Sequence, residues 1–122
     1  MCKGEGNGMS LDLTPNDVVS GLLNLARELA ELSNGLDKLE RDAVEAREDF
    51  TLAYSTAYLK ADGTVEERKH RAVMQTSDER IAADVAEALV RGRKRQLDTL
   101  KIRIDVGRSA AAALRAEIDL AR

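Results

Sequence analysis

A run of positive charge in the second half of the chain is the local feature best suited to binding a ligand. The segment 91–95, Arg-Gly-Arg-Lys-Arg, carries four cations in five residues, and more cations follow downstream. Clustered Lys and Arg side chains on a helix are typical of proteins that bind the phosphate backbone of nucleic acids. The candidate nucleic-acid residues are Arg91, Arg93, Lys94, Arg95, Lys101 and Arg103.

The same run has a second interpretation, in which its charges pair within the chain. Residues 15–62 carry five Lys or Arg against ten Asp or Glu, whereas residues 65–110 carry eleven against eight. An acidic helix beside a basic one supplies the flanking ion pairs of an antiparallel helix pair. We favour this intrachain pairing, and direct binding of DNA stays as the alternative. The acidic residues expected opposite the run are Glu28, Glu31, Asp37 and Glu40.

The chain offers no set of residues typical of an active site. His70 is its only histidine and Cys2 its only cysteine, so neither a catalytic triad nor a multi-cysteine zinc site can be assembled. Carboxylate pairs such as Glu45 and Glu48 lack the Glu-x-x-His spacing of helical di-iron sites. We therefore predict no enzymatic activity, no cofactor and no metal, and we interpret His70 as a solvated surface residue.

The elements that position these side chains follow from one apolar pattern. Apolar residues recur at alternating intervals of four and three, which is the heptad spacing that holds one face of a helix against another helix. The members of this stripe are Val18, Leu22, Leu25, Leu29, Leu32, Leu36, Leu39, Ala43, Ala46, Phe50, Ala53 and Ala57.

Helix start and stop signals divide the chain. Thr14 followed by Pro15 is typical of a helix N-terminus, and Asp62-Gly63-Thr64 combines a helix stop with a new N-cap. We predict a flexible leader over residues 1–13 and a helical hairpin over 14–122, with a helix at about 15–61, a turn at 62–64 and a helix at about 65–121. The polar stretch 76–79 leaves open whether the second helix is interrupted.

Folding the chain about the predicted turn tests whether the two helices fit each other. Leu22 then lies opposite Ile104, and Leu29 lies opposite Leu97, so large apolar residues meet. This agreement predicts an all-α fold, a long antiparallel two-helix coiled-coil hairpin.

The hairpin leaves apolar surface without a partner. Aromatic residues make up only 2% of the chain, and two helices alone bury little area. Apolar residues beside the stripe, such as Val19 and Leu23, and an Ala-rich overhang after Ser109 stay uncovered. We therefore expect a homo-oligomer, at its simplest a dimer that forms a helical bundle. The candidate protein-interface residues are Tyr54 and Tyr58 near the turn and Leu114 and Ile118 on the overhang.

Two segments resemble a known class of proteins. Residues 57–69 (AYLKADGTVEERK) and 100–109 (LKIRIDVGRS) are similar to small helical-hairpin proteins of tailed phages and prophages, often encoded near recombination and replication genes. The resemblance covers roughly residues 40–120. It implies a non-enzymatic phage accessory protein without a defined role, and we expect that role to be the support of DNA recombination or replication. An inhibitor or adaptor that binds a host or phage protein is the alternative.

The sequence contains no apolar run of membrane-spanning length and no apolar signal-peptide segment. We therefore expect no membrane association and a location in the bacterial cytoplasm.

Overall fold

The computed structural model describes residues 14–121, which form three helices. These are α1 (Pro15–Lys60), α2 (Val65–Gln75) and α3 (Ser77–Ala121). Residues 14–121 contain no strand, so the all-α prediction is confirmed for this part of the chain. The predicted flexible leader at residues 1–13, which includes Cys2, lies outside the described residues. No described helix has a stretch apolar and long enough to cross a lipid bilayer.

Hydrogen bonds from backbone N–H groups to side chains mark two of the helix starts. The Asp17 N–H donates to Thr14 Oγ1, and the Thr14 N–H donates to Asp17 Oδ2, both at 3.1 Å. At α2, the Glu67 N–H donates to Thr64 Oγ1 at 3.2 Å. These side chains satisfy backbone N–H groups that have no partner in the first helical turn.

The turn between α1 and α2 depends on a glycine. Gly63 has φ of 112°, a conformation that side-chain-bearing residues seldom adopt. Arg71 Nη1 closes the turn from α2 by donating to the Asp62 carbonyl oxygen at 2.8 Å.

Thr76 separates α2 from α3. Both its backbone N–H and its hydroxyl donate to the Ala72 carbonyl oxygen, at 3.1 and 2.7 Å. The Arg80 N–H still donates to the Thr76 carbonyl oxygen, so backbone hydrogen bonding continues through the junction. A threonine hydroxyl that bonds to the carbonyl four residues earlier competes with the backbone hydrogen bonds of the helix, and Thr76 has φ of −114° and ψ of 22°, away from helical values. The sequence left this interruption open, and Thr76 is its physical cause.

The described residues belong to two compact units. The terminal unit combines the described residues up to Glu31 with those from Asp98 onward, and the turn unit is Leu32–Leu97. In the terminal unit, Leu22 contacts Gly107, which lies three residues beyond the expected Ile104. A methyl group on Gly107 would lie 2.6 Å from Leu22 Cδ2, so glycine allows this close contact.

In the turn unit, α1 contacts α3 at several points between residues 32 and 47. Leu32 and Gly35 contact Arg93, Glu40 contacts Lys94, and Arg47 contacts Glu87 and Asp84. All twelve residues of the heptad stripe are buried or half-buried across the two units. The buried apolar residues are Ala43, Ala57, Ala72, Ala83, Leu97 and Leu100. Four of these six are alanines, so the most deeply buried apolar positions of the described residues are mainly small side chains.

Candidate interaction surfaces

The basic run is divided between intrachain contacts and solvent. Arg93 is half-buried, and its Nη1 donates to the Leu32 carbonyl oxygen at 3.1 Å. Gly35 makes room for this guanidinium group, because a Cβ there would lie 2.7 Å from Arg93 Nη1. Lys94 Nζ lies 3.5 Å from Glu40 Oε2, one of the carboxylates expected opposite the run.

The other four candidate nucleic-acid residues differ in their surroundings. Arg91 lies close enough to Glu87 to help lower the pKa of that carboxyl. Arg95, Lys101 and Arg103 are exposed and form no hydrogen bond or ion pair with other residues of the described 14–121. The structure therefore does not present all six candidate nucleic-acid residues as one free surface.

An ion-pair network on α1 and α3 is the most connected polar cluster of the turn unit. Arg47 Nε and Nη2 donate to the two carboxylate oxygens of Glu87 at 2.9 and 2.7 Å, and Nη2 also donates to Asp84 Oδ1 at 2.9 Å. These contacts raise the pKa of Arg47, and its hydrogen bonds hold the pKa of Glu87 below the ordinary value. The same guanidinium lies 5.5 Å from the centre of the Phe50 ring.

Sequence reasoning missed this network. The heptad pattern placed Arg47 beside the stripe residue Ala46, at a position that flanks the packed face. Opposite charges at flanking positions are expected to pair in antiparallel helices. Position within the heptad was therefore the signal that could have identified Arg47 and Glu87.

The two tyrosines proposed as interface residues make contacts within the chain. The Tyr54 ring meets Phe50 edge-on, with ring centres 6.3 Å apart. The Arg68 guanidinium lies 4.6 Å from the Tyr58 ring centre, and its Nε donates to the Tyr58 carbonyl oxygen at 3.3 Å. Both tyrosines are half-buried, so much of their surface already serves the packing of the turn unit.

The two interface candidates on the overhang belong to the terminal unit. Leu114 is half-buried, and Ile118 is exposed. Other exposed apolar side chains of this unit are Val19, Leu23, Ile102, Val106 and Leu120.

A second apolar stripe lies on α3 in the turn unit. We define the outer seam as Ile81, Val85, Ala88 and Gly92, which are spaced by four, three and four residues. Ile81 and Val85 are 51% and 53% exposed, and the adjacent Leu89 is 55% exposed. Isolated exposed apolar residues are ordinary, but a contiguous patch with helical spacing indicates a binding surface.

His70 and the carboxylate pairs of residues 14–121 do not assemble into a cluster of metal-ligand side chains. His70 is exposed, and no three His, Cys, Asp or Glu side chains in this range are grouped as a metal site would require. An open groove of about 530 Å³ is lined in part by Arg47, Glu87 and Arg91. Arg47 and Glu87 already pair with each other, so neither of these two charges is free to bind a ligand in the groove.

Comparisons with protein families, with curated proteins and with solved structures found no match to this chain.

Proposed function

We propose that the protein is a non-enzymatic interaction module in which α1 packs antiparallel against α2 and α3, and which self-associates through apolar helix faces. The observation that carries this proposal is the distribution of apolar side chains. The buried positions are mainly alanines, whereas Ile81, Val85 and Leu89 are about half exposed. Burying apolar surface is the main favourable term in association, so these side chains favour a complex.

The resemblance to phage and prophage helical-hairpin proteins agrees with such a role. An accessory function in DNA recombination or replication follows from that resemblance alone and stays a prediction. The contacts between α1 and α3 in the turn unit hold two helices together, which agrees with a helical accessory protein.

Direct nucleic-acid binding is the second candidate, and it rests on the exposed cations Arg95, Lys101 and Arg103. A complex held by phosphate contacts weakens steeply as salt rises, because binding releases condensed counterions. Arg93 and Lys94 are engaged within the chain, so the run has fewer free charges than its sequence implies. We therefore rank self-association first.

The test is the mass of the purified protein by light scattering over a series of concentrations. It is repeated with a short single-stranded DNA at low and at moderate salt. We expect at least twice the 13.3 kDa chain mass, unchanged by the DNA. A monomer at every concentration would refute the proposal, and a salt-sensitive DNA complex would establish the second candidate.

A further inference from the structure

The stretch of α3 that carries the outer seam is apolar on two faces. Residues 81–92 read IAADVAEALVRG and contain three charged residues, Asp84, Glu87 and Arg91. Their spacing of three and four residues places all three on one side of the helix, and two of them bond to Arg47. Away from that side the stretch is uncharged. A helix segment that is apolar on nearly all sides is normally covered by protein.

We propose that a second copy of this chain covers the outer seam, with the two α3 helices packed antiparallel about a two-fold axis between residues 86 and 87. The inference rests on the proposed self-association and names its surface. A two-fold interface uses the same patch on both copies, so the patch must complement itself. The size and the charge of the seam residues meet this condition.

Side-chain size is complementary in this register. Each layer pairs residues equally distant from the axis, so Ile81 faces Gly92 of the second copy, and Val85 faces Ala88 of the second copy. A large residue therefore meets a small one in all four layers. This alternation lets two helices approach closely without leaving a cavity.

Charge is complementary at the ends of the seam. Extending the seam by three residues in each direction reaches Asp78 and Arg95. In the proposed register, Asp78 of one copy faces Arg95 of the other across the axis. Both are exposed, and neither forms a hydrogen bond or ion pair with the described residues of its own chain. The register thus gives two symmetric ion pairs to groups that have no partner among the described residues of one copy.

The edges of the seam agree with the same register. Asp84 lies near Arg91 of the second copy along one edge, and the other edge is formed by the uncharged Ala82, Leu89 and Gln96. Flanking opposite charges select the orientation and partner of packed helices. A parallel arrangement would place Asp78 against Asp78 and Arg95 against Arg95. A shift by one heptad would leave both residues without their opposite charge. The parallel and the shifted arrangements are therefore disfavoured. A partner unrelated to this chain would not need a patch that complements itself.

The first test compares the Val85→Lys variant with the control Val44→Lys. Val44 lies on α1 in the same unit and is 64% exposed, so the control introduces the same charge at a similarly exposed site outside the seam. Sedimentation velocity over a concentration series should give a monomer for Val85→Lys and the wild-type mass for Val44→Lys. Far-UV circular dichroism verifies that both variants are folded.

The outcomes separate this inference from the proposed function. A wild-type protein that is itself monomeric refutes both. A self-associating wild-type protein together with an equally associated Val85→Lys variant refutes the outer seam and leaves self-association standing.

A charge exchange tests the register. Asp78→Arg and Arg95→Asp should each weaken dimerisation by about tenfold, since each removes two exposed ion pairs and creates like-charge contacts. The double variant Asp78→Arg/Arg95→Asp should regain most of the wild-type affinity. Losses that simply add in the double variant would overturn the proposed register.

Discussion

The two faces of α3 in the turn unit differ in a way that runs against the usual distribution of apolar residues. Over residues 81–88, the face of α3 turned toward α1, the inner face, carries only the small Ala83 and Ala86, and Ala83 is fully buried. The outer seam carries the larger Ile81 and Val85, and about half of each is exposed. Within residues 81–88, the side chains with more apolar surface are therefore those that one chain leaves uncovered.

The two faces of α3 therefore have separate roles. Small inner side chains let α1 approach α3 closely, close enough for Arg47 to reach Glu87 at 2.7 Å. Covering the outer face would stabilise the protein by about 25 cal/mol for each Å² of apolar surface removed from water. The inner face thus maintains the fold of the chain, and the outer face is available to join two chains.

The largest effect should come from truncating the inner face. Leu97 is 7% exposed, so Leu97→Ala should lower the free energy of unfolding by about 2–4 kcal/mol through lost burial and a residual cavity. Leu89→Ala on the outer side should lower the free energy of unfolding of the monomer by less than about 0.5 kcal/mol, because Leu89 is already half exposed in one chain.

Urea titrations at protein concentrations low enough to dissociate the dimer measure the free energy of unfolding of both monomeric variants. Leu89→Ala should instead weaken dimerisation, which light scattering detects. Equal losses of monomer stability in the two variants would abolish the distinction between the faces.

A smaller effect is expected from the charged side of α3, which separates the two faces. The Arg47 hydrogen bonds lower the pKa of Glu87 from its ordinary value of 4.5. A carboxyl with a depressed folded-state pKa adds stability above its unfolded pKa and loses it as pH falls through the folded pKa. Wild-type stability should therefore decline as pH drops below about 4.5, and Arg47→Gln should reduce this decline.

Urea midpoints measured from pH 7 down to pH 3 provide the readout, with Arg41→Gln as the control. Arg41 is an exposed cation on α1 that forms no ion pair with other described residues. Identical pH profiles for wild type and Arg47→Gln would show that the network contributes nothing to stability.

Much of the fold was accessible from the sequence, because helix signals are local. Thr14 and Thr64 carry side-chain oxygens that accept from the backbone three residues later, and both residues occupy the expected positions. The heptad stripe of α1 identified the buried face because spacing alone fixes which residues share a side.

Three-dimensional contacts account for what the sequence did not reveal. The helix interruption at Thr76 coincides with a hydroxyl that donates to the Ala72 carbonyl oxygen, a contact that the sequence alone does not show. The pairing of Arg93 with a backbone carbonyl needs the space above Gly35, which no charge count reveals. The outer seam was overlooked because α3 has two apolar stripes, and periodicity cannot tell which of them the chain itself covers.

The most direct measurement is disulfide cross-linking between two singly substituted proteins, both carrying Cys2→Ser. Val85→Cys and Ala88→Cys place thiols that face each other only across an antiparallel two-fold interface. Under mild oxidation, the mixture should give a covalent dimer, whereas each protein alone should not. Cross-linking of each protein with itself, or none in the mixture, would contradict the outer seam as the site where two copies meet.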